Sequence, residues 1–233
     1  MSQTATVIER GAVEVFVSAP PLAAPPDLEP VIQRLWEAEQ SARPSIVNGT
    51  IVCVRAIDGG RIDACLAEYR LFVARERDKD VRRRLALRAI GVSGIVVLST
   101  GELLVARRGE DVTEYPGAWE LAPSGSVPAS AVADDGRVDT LGSLLVELQE
   151  ETGIERQSVA TARPLGLVWD SSQDGFDVCY ELRLAKSVPF STLAGAEYRD
   201  LQALAPAEAT HLFATTDAGV PTSRALIELW QQQ

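Results

Sequence analysis

The feature that most constrains this chain is a helical pattern in residues 140–152, where apolar and acidic side chains fall on different sides. Leucines recur there at the spacing of an amphipathic helix, at Leu141, Leu144, Leu145 and Leu148. Gly153 follows, and glycine commonly ends helices. Such a helix must bury its leucines against another layer, and strand-like runs on both sides of it supply one. The order of elements therefore predicts an α/β sandwich with a mixed sheet.

The same helix carries three carboxylates, Glu147, Glu150 and Glu151. At about 100° per residue, Glu147 and Glu151 point within about 40° of each other, and Glu150 lies on the other flank of Glu147. Like charges at these spacings each cost a few tenths of a kcal/mol, and acids in the last turn face the negative end of the helix dipole. Hard cations such as magnesium prefer oxygen ligands. The pattern therefore indicates a metal site, against the alternative of a solvated acidic face.

Composition narrows the class of function. The chain has 233 residues and a formal net charge of -11, which repels nucleic acid phosphates and disfavours nucleic acid partners. A nucleotide is equally repelled unless a bound cation reverses the local charge. Neither a signal peptide nor a membrane-spanning run is visible. The three cysteines lack zinc-ligand spacing and are odd in number, which favours buried free thiols in a reducing cytoplasm.

The N-terminal part reads as a small β-rich extension. Residues 28–42 have helical spacing, and two strand-like runs, residues 50–57 and 62–71, flank a turn at Asp58-Gly59-Gly60, a strong hairpin signal. The charged stretch 75–84 reads as a solvated helix or linker. We place the domain boundary between residues 86 and 87, with an extension over 1–86 and a catalytic domain over 87–233.

The second part alternates strands with two helices. Strands are predicted at residues 90–99, 102–108, 165–169, 177–184 and 199–204. Residues 126–137 are polar and rich in alanine, which predicts a surface loop before the carboxylate helix. A last helix is predicted at residues 222–232.

Two motifs in this second part carry a family resemblance. Residues 146–154 read Val-Glu-Leu-Gln-Glu-Glu-Thr-Gly-Ile, and residues 116–121, Pro-Gly-Ala-Trp-Glu-Leu, precede Ser124-Gly125. These motifs resemble the Nudix hydrolases, whose box runs glycine, five residues, glutamate, seven residues and then Arg-Glu-apolar-x-Glu-Glu-x-Gly-apolar. The resemblance covers residues 87–233, and Gly125 resembles the first glycine of the box.

The chain departs from this box in three ways. Gly125 and Glu147 are seven residues further apart than the box prescribes, so the segment around residues 129–137 looks like an insertion. No glutamate occupies the first acidic position of the box, although Asp139 lies one residue out of register. Val146 stands where the box has arginine, so the ion pair that normally orients the carboxylate helix is missing.

The resemblance implies a metal-dependent hydrolase and a set of site residues. Glu147 and Glu151 would bind Mg²⁺, or Mn²⁺ as a substitute, with Glu150 a ligand or outer partner and the Gly125 carbonyl completing the shell. A further acid from a later loop often completes such sites. We expect Glu197 in that role, with Asp174 and Asp177 as runners-up.

Two arginines and the remaining polar and aromatic residues complete the sequence-based expectations. Arg107 and Arg108 end a strand, and guanidinium groups suit phosphate oxygens. A surface charge pair is the alternative. Trp119, Trp169 and Tyr198 are expected to pack in the core rather than stack on a base. His211 is assigned no catalytic role.

A weaker resemblance concerns the substrate. Asn48-Gly49-Thr50, Glu68-Tyr69-Arg70, residues 91–94 and residues 104–108 are similar to a Nudix branch that hydrolyses UDP-glucose and UDP-galactose. This resemblance implies cleavage of a nucleoside diphosphate sugar to UMP and a sugar phosphate. The alternatives are a catalytically weakened nucleotide-binding or regulatory module, a hydrolase of ADP-ribose or another dinucleotide, and a structural or interaction protein. A homodimer formed through the N-terminal part is a further expectation.

Overall fold

The computed structural model describes residues 4–191, 197–215 and 218–232. Its helices are α1 (Glu29–Ala42), α2 (Tyr69–Arg77), α3 (Lys79–Leu85), α4 (Thr140–Thr152), α5 (Pro206–Thr215) and α6 (Pro221–Gln231). Its strands are β1 (Ala5–Arg10), β2 (Glu14–Val17), β3 (Thr50–Asp58), β4 (Arg61–Glu68), β5 (Ile90–Val97), β6 (Leu103–Arg108), β7 (Trp119–Leu121), β8 (Ser124–Ser126), β9 (Val159–Asp170), β10 (Gly175–Leu184) and β11 (Tyr198–Leu204). The chain divides into two compact units.

The larger unit is an α/β/α sandwich and comprises residues 1–13, 91–125 and 140–233. Within its described residues, an eight-stranded sheet has the order β1-β9-β10-β5-β6-β11, with β7 on β6 and β8 on β5. Gly94 of β5 meets Leu144 of α4, while the next residue, Ile95, lies in a core cluster with Phe213 of α5 and Leu226 of α6. Successive strand residues point to opposite faces, so α4 covers one face and α5 and α6 the other. The expected fold class is confirmed.

The smaller unit comprises residues 14–90 and 126–139. A three-stranded sheet, in which β4 lies between β2 and β3, shares a core cluster with α1, α2 and α3. Segment 126–139 is part of this unit: the Val52 N–H donates to the Val127 carbonyl at 2.9 Å, and the Val138 N–H donates to the Val15 carbonyl at 3.0 Å. The residues that look like an insertion in the box therefore fold with the N-terminal chain.

This division differs from a single cut between residues 86 and 87. Strand β1 pairs antiparallel with β9 and so belongs to the large sheet, although it opens the chain. Segment 126–139 belongs to the other unit, although it lies between Gly125 and α4. Both assignments to a unit depend on backbone pairing between residues far apart in sequence.

Local predictions hold for most elements, with differences in α2, at Arg75 and in the second part, where α5 stands in addition to the two predicted helices. Helix α4 has the predicted bounds, and the β3–β4 hairpin forms around the predicted turn. Residues 69–71, predicted as strand, begin α2 instead. Arg75, expected to be solvated, is 2% exposed, and its Nη1 lies 2.8 Å from Glu76 Oε1. The buried ion pair explains how the charge is tolerated in a core.

Two expectations about the chain as a whole can be compared with the structure. All three cysteines are buried and carry free thiols. No helix in the described ranges has the length and apolar character that crossing a membrane requires.

Candidate metal and hydrolytic site

Helix α4 is fixed to the sheet along its apolar side and at both ends. The buried hydroxyl oxygens of Thr140 and Tyr180 lie 2.7 Å apart at its first residue. Leu144, Leu145 and Leu148 are buried. Gly153 ends the helix with a φ of 71°, a left-handed conformation that favours glycine. These contacts set the direction of the glutamate side chains.

Gly125 and Glu147 lie in direct contact. A Cβ atom built on Gly125 would lie 2.2 Å from Glu147 Oε1 and 2.3 Å from its Cδ, closer than atoms can approach. Glycine is therefore required at position 125 for the carboxylate to occupy this place. The structure thus places Gly125, which resembles the first glycine of the box, against Glu147, the first glutamate of the carboxylate helix.

Glu151 lies one helical turn after Glu147 and is 4% exposed. Burial, followed by the charges of Glu120 and Glu147, raises its pKa to about 10. Burial, followed by the charge of Glu197, raises the pKa of Glu147 to about 8. Within the described residues, Glu151 Oε2 has no hydrogen-bond partner. A buried acceptor without a donor costs stability, and a bound cation would remove that cost.

Tyr198 connects Glu151 to the strand that carries Gly125. Its hydroxyl accepts a hydrogen bond from the Ser124 N–H at 3.2 Å, and its side chain also hydrogen-bonds Glu151. Tyr198 is buried, so this aromatic residue packs inside the protein, as expected. Its hydroxyl contacts Glu151, which belongs to an acidic cluster of Glu120, Glu147, Glu151 and the nearby Glu197.

Glu120 is a member of the acidic cluster that sequence reasoning missed. It is 3% exposed on β7, and its charge raises the pKa of Glu151. Arg108 Nη1 lies 2.6 Å from Glu120 Oε1, and the Ser124 hydroxyl donates to Oε2 at 3.1 Å. The only available signal was an acid between two apolar residues of a short strand, which does not distinguish a buried carboxylate from an exposed one.

The two arginines at the end of β6 point to opposite faces of the sheet. Arg108 faces the carboxylates and binds Glu120 and Glu197. Arg107 lies over the Trp119 ring, at 5.7 Å from its centroid, on the face away from Glu120. The structure therefore does not bring the two guanidinium groups together as one phosphate site.

The remaining sequence candidates are placed as follows. Glu150 is exposed, and its charge contributes to the raised pKa of Glu147. The side chain of Glu197 is 56% exposed and reaches Arg108 Nη2 at 2.8 Å.

Asp174 accepts a hydrogen bond from the Trp169 indole N–H at 3.1 Å, a turn contact. Asp177 is partly buried, and the Thr222 hydroxyl donates to it at 3.0 Å. Burial raises the pKa of Asp177 to about 7.

Two of the four motifs of the weaker resemblance, residues 48–50 and 68–70, lie in the smaller unit and have a local structural role, whereas residues 91–94 and 104–108 lie in the larger unit. Asn48 Oδ1 accepts a hydrogen bond from the Arg70 N–H at 2.9 Å, in the first turn of α2. Asn48 Nδ2 lies 3.3 Å from Glu68 Oε2, and Glu68 also pairs with Arg70. The N–H groups in the first turn of a helix have no partner within the helix, and the Asn48 side chain supplies an acceptor for one of them in α2.

The donor set suits a hard cation. The Glu147 carboxylate lies beside Gly125, and Glu151, one helical turn further on, has an Oε2 without a hydrogen-bond partner. Over the described ranges, no group of three or more His, Cys, Asp or Glu side chains is arranged to hold a metal ion. Magnesium typically binds through one or two carboxylates, with water and substrate phosphates filling the other positions. A two-carboxylate site therefore fits this ion.

Comparisons with known proteins agree with this geometry. No protein-family model matches the chain. Nudix hydrolase 9 from Arabidopsis thaliana is 26% identical over 183 residues, which cover 61% of this chain and 58% of that protein. This chain thus matches less than two thirds of the length of that relative.

Solved structures show the same fold. The DR0079 protein from Deinococcus radiodurans superposes with a TM-score of 0.51 at 19% identity, covering 77% of this chain and 97% of its own. A bifunctional NMN adenylyltransferase/ADP ribose pyrophosphatase from Francisella tularensis gives a TM-score of 0.50 at 13% identity, covering 70% of this chain and 48% of its own.

The sandwich, with acidic residues of one helix buried beside a strand glycine, defines a Nudix fold. The chain is similar to a Nudix hydrolase over 183 residues, in agreement with the resemblance of residues 146–154 to the Nudix box. Nudix hydrolases generally use divalent metal ions.

Proposed function

We propose that this protein is a divalent-metal-dependent hydrolase that cleaves the diphosphate linkage of a nucleoside diphosphate derivative. The observation that carries the proposal is the buried carboxyl group of Glu151, whose Oε2 has no donor, one helical turn from the partly buried Glu147. Two neighbouring carboxylates shielded from water are unfavourable by themselves, and a divalent cation would compensate their charge. The relationship to Nudix hydrolase 9 supports the reaction class.

Each residue of the cluster has a distinct part in the proposal. Glu147 and Glu151 hold the cation, and the backbone of Gly125 admits the Glu147 carboxylate. The chemistry that a divalent cation held there would supply is a lower pKa of water bound to it and neutralisation of charge on the diphosphate. Glu197, exposed at the mouth of the cluster, accepts a proton from the attacking water. Glu150 is an outer partner rather than a ligand, because its side chain is exposed.

The finer parts of the proposal concern the metal and the substrate. Magnesium is the expected cation, with manganese as a substitute, because the donors are hard oxygens. A UDP-sugar is the expected substrate, giving UMP and a sugar phosphate. It is supported by the similarity of the N-terminal motifs, although Asn48, Glu68 and Arg70 also have a local role in starting α2.

Product analysis with nucleotide sugars tests this proposal. We expect UMP from UDP-glucose or UDP-galactose in the presence of Mg²⁺. Glu151→Ala should reduce turnover at least about a hundredfold at saturating Mg²⁺. Glu228→Gln is a matched control, because Glu228 is an exposed acid on α6 in the same unit. Equal turnover in the Glu151 and Glu228 variants would remove the metal assignment.

Two other functions remain as competing proposals. Val146, at the place of the box arginine, is 53% exposed and makes no ion pair, which favours a nucleotide-binding or regulatory module with weakened catalysis. Binding of nucleotide without product release would support that module. The Francisella relative is named as an ADP ribose pyrophosphatase, so AMP release from ADP-ribose is the second alternative. The same assay panel separates all three.

The proposal also covers partners and location. We expect a small-molecule enzyme of the cytoplasm with neither nucleic acid nor membrane partners, because its net charge of -11 repels both phosphate-rich surfaces. A homodimer is the expected assembly, and sedimentation at several protein concentrations measures it.

A further inference from the structure

Arg108, at the end of β6, is the buried cation beside the acidic cluster. It is 8% exposed. Nη1 lies 2.6 Å from Glu120 Oε1, Nη2 lies 2.8 Å from Glu197 Oε2, and Nε donates to the Glu114 carbonyl at 3.0 Å. All three nitrogen atoms of the guanidinium group are therefore engaged by the protein. A group so occupied is poorly placed to form a bidentate contact with a substrate phosphate.

The contacts of Arg108 join two acids from different parts of the fold. Glu120 lies on β7 and is buried, while Glu197 precedes β11 and is more than half exposed. The neighbouring Gly109 N–H donates to the Glu197 backbone carbonyl at 2.7 Å. Two consecutive residues of β6 and its following loop thus hold both the side chain and the backbone of Glu197.

Charge explains why this cluster needs an internal cation. Glu120 and Glu197 both act on the electrostatics of Glu151, and Glu197 also acts on Glu147. The helix itself offers no cation at position 146, where Val146 is exposed. A buried guanidinium that binds two carboxylates at once offsets their repulsion and limits their motion.

We propose that Arg108 is a positioning residue that holds Glu197 and Glu120 beside the two α4 carboxylates, in place of the ion pair missing at Val146. This inference rests on the proposed hydrolase function and adds a structural part to it. Arg108 acts through Glu197, which faces the attacking water, and does not itself contact substrate.

The test compares Arg108→Gln and Arg108→Lys with a matched control. Arg163→Gln breaks another ion pair to a buried carboxylate of the same unit, since Arg163 Nε lies 3.0 Å from Glu181 Oε2 and Glu181 is 2% exposed. We expect Arg108→Gln to lower kcat at least about tenfold with KM within about threefold, because a misplaced Glu197 affects the chemical step rather than binding. Arg163→Gln should change kcat less than about twofold.

A second readout does not depend on activity. Hydrogen exchange of the Gly109 amide reports whether Glu197 stays in place, because that amide donates to the Glu197 carbonyl. Exchange should be at least about tenfold faster in Arg108→Gln and unchanged in Arg163→Gln. Arg108→Lys keeps the buried charge but not the planar guanidinium group that binds two carboxylates at once. This variant should therefore give an intermediate kcat and an intermediate exchange rate at Gly109.

The outcomes separate this inference from the proposed function. Wild-type kcat and wild-type Gly109 exchange in Arg108→Gln would overturn the positioning role. Should Arg108→Gln not fold, Arg108→Lys decides: values equal to wild type in both measurements overturn the role, and intermediate values support it. If the wild-type protein hydrolyses no diphosphate, the proposed function fails, and Gly109 exchange alone still decides whether Arg108 holds Glu197.

Discussion

Replacing Glu151 by glutamine should stabilise the metal-free protein in alkaline solution. The pKa of this carboxyl group is raised from an ordinary 4.5 to about 10, first by burial and then by the charges of Glu120 and Glu147. The folded chain therefore keeps a proton that the unfolded chain releases above its ordinary pKa. Stability falls as pH rises from the unfolded value through the folded value, and glutamine, which cannot ionise, removes this loss.

The magnitude follows from the pKa shift. Each pH unit above the ordinary pKa costs about 1.4 kcal/mol, so the interval up to about pH 8 sets an upper limit of about 5 kcal/mol. Relaxation and water entry around a buried charge reduce this limit, and we expect about 2 kcal/mol to be measured. In a protein of this size that free energy corresponds to about 4–8 °C in Tm.

The assay is thermal unfolding in the presence of a chelator, near pH 5 and near pH 8, for wild type, Glu151→Gln and the surface control Glu228→Gln. We expect Glu151→Gln to match wild type near pH 5 and to exceed it in Tm near pH 8. Added Mn²⁺ should raise the Tm of wild type and not that of Glu151→Gln, because binding to the folded state stabilises it. A Tm difference that is the same at both pH values would refute the buried-charge argument.

Three further substitutions probe the same cluster. Gly125→Ala places a Cβ 2.2 Å from Glu147 Oε1, so Mn²⁺ affinity measured by calorimetry should fall at least about tenfold, whereas Gly49→Ala, with nothing within 4 Å, should leave it unchanged. Glu147→Gln should lower the same affinity by a similar factor while the Tm near pH 8 rises, since its pKa of about 8 is also raised mainly by burial. Tyr198→Phe removes the hydroxyl that bonds Glu151, and should lower the free energy of unfolding by about 1–2 kcal/mol in urea titrations.

Prediction from sequence works best for helix α4. Its bounds and its glutamate cluster depend on spacing at three and four residues and on a glycine stop, which are local properties. The contact between Gly125 and Glu147 was predictable through the family motif despite seven extra residues, because the extra segment is part of the smaller unit.

Local sequence patterns do not decide which side chain is buried. Glu150 and Glu151 are neighbours in the sequence, yet Glu150 is exposed and Glu151 is only 4% exposed. Arg107 and Arg108 were both expected to suit phosphate oxygens or to form a surface charge pair, whereas alternation along β6 sends them to opposite faces of the sheet.

Short-range periodicity in the sequence was enough to predict a carboxylate-bearing helix and the α/β class, and the family motif added Gly125 before that helix. Tertiary structure alone decided that Glu120 and Arg108 join the cluster and that residues 126–139 fold with the N-terminal unit. The physical reason is that the pKa of a carboxyl group and the partner of a guanidinium depend on which distant elements exclude water from them, and no local pattern specifies that.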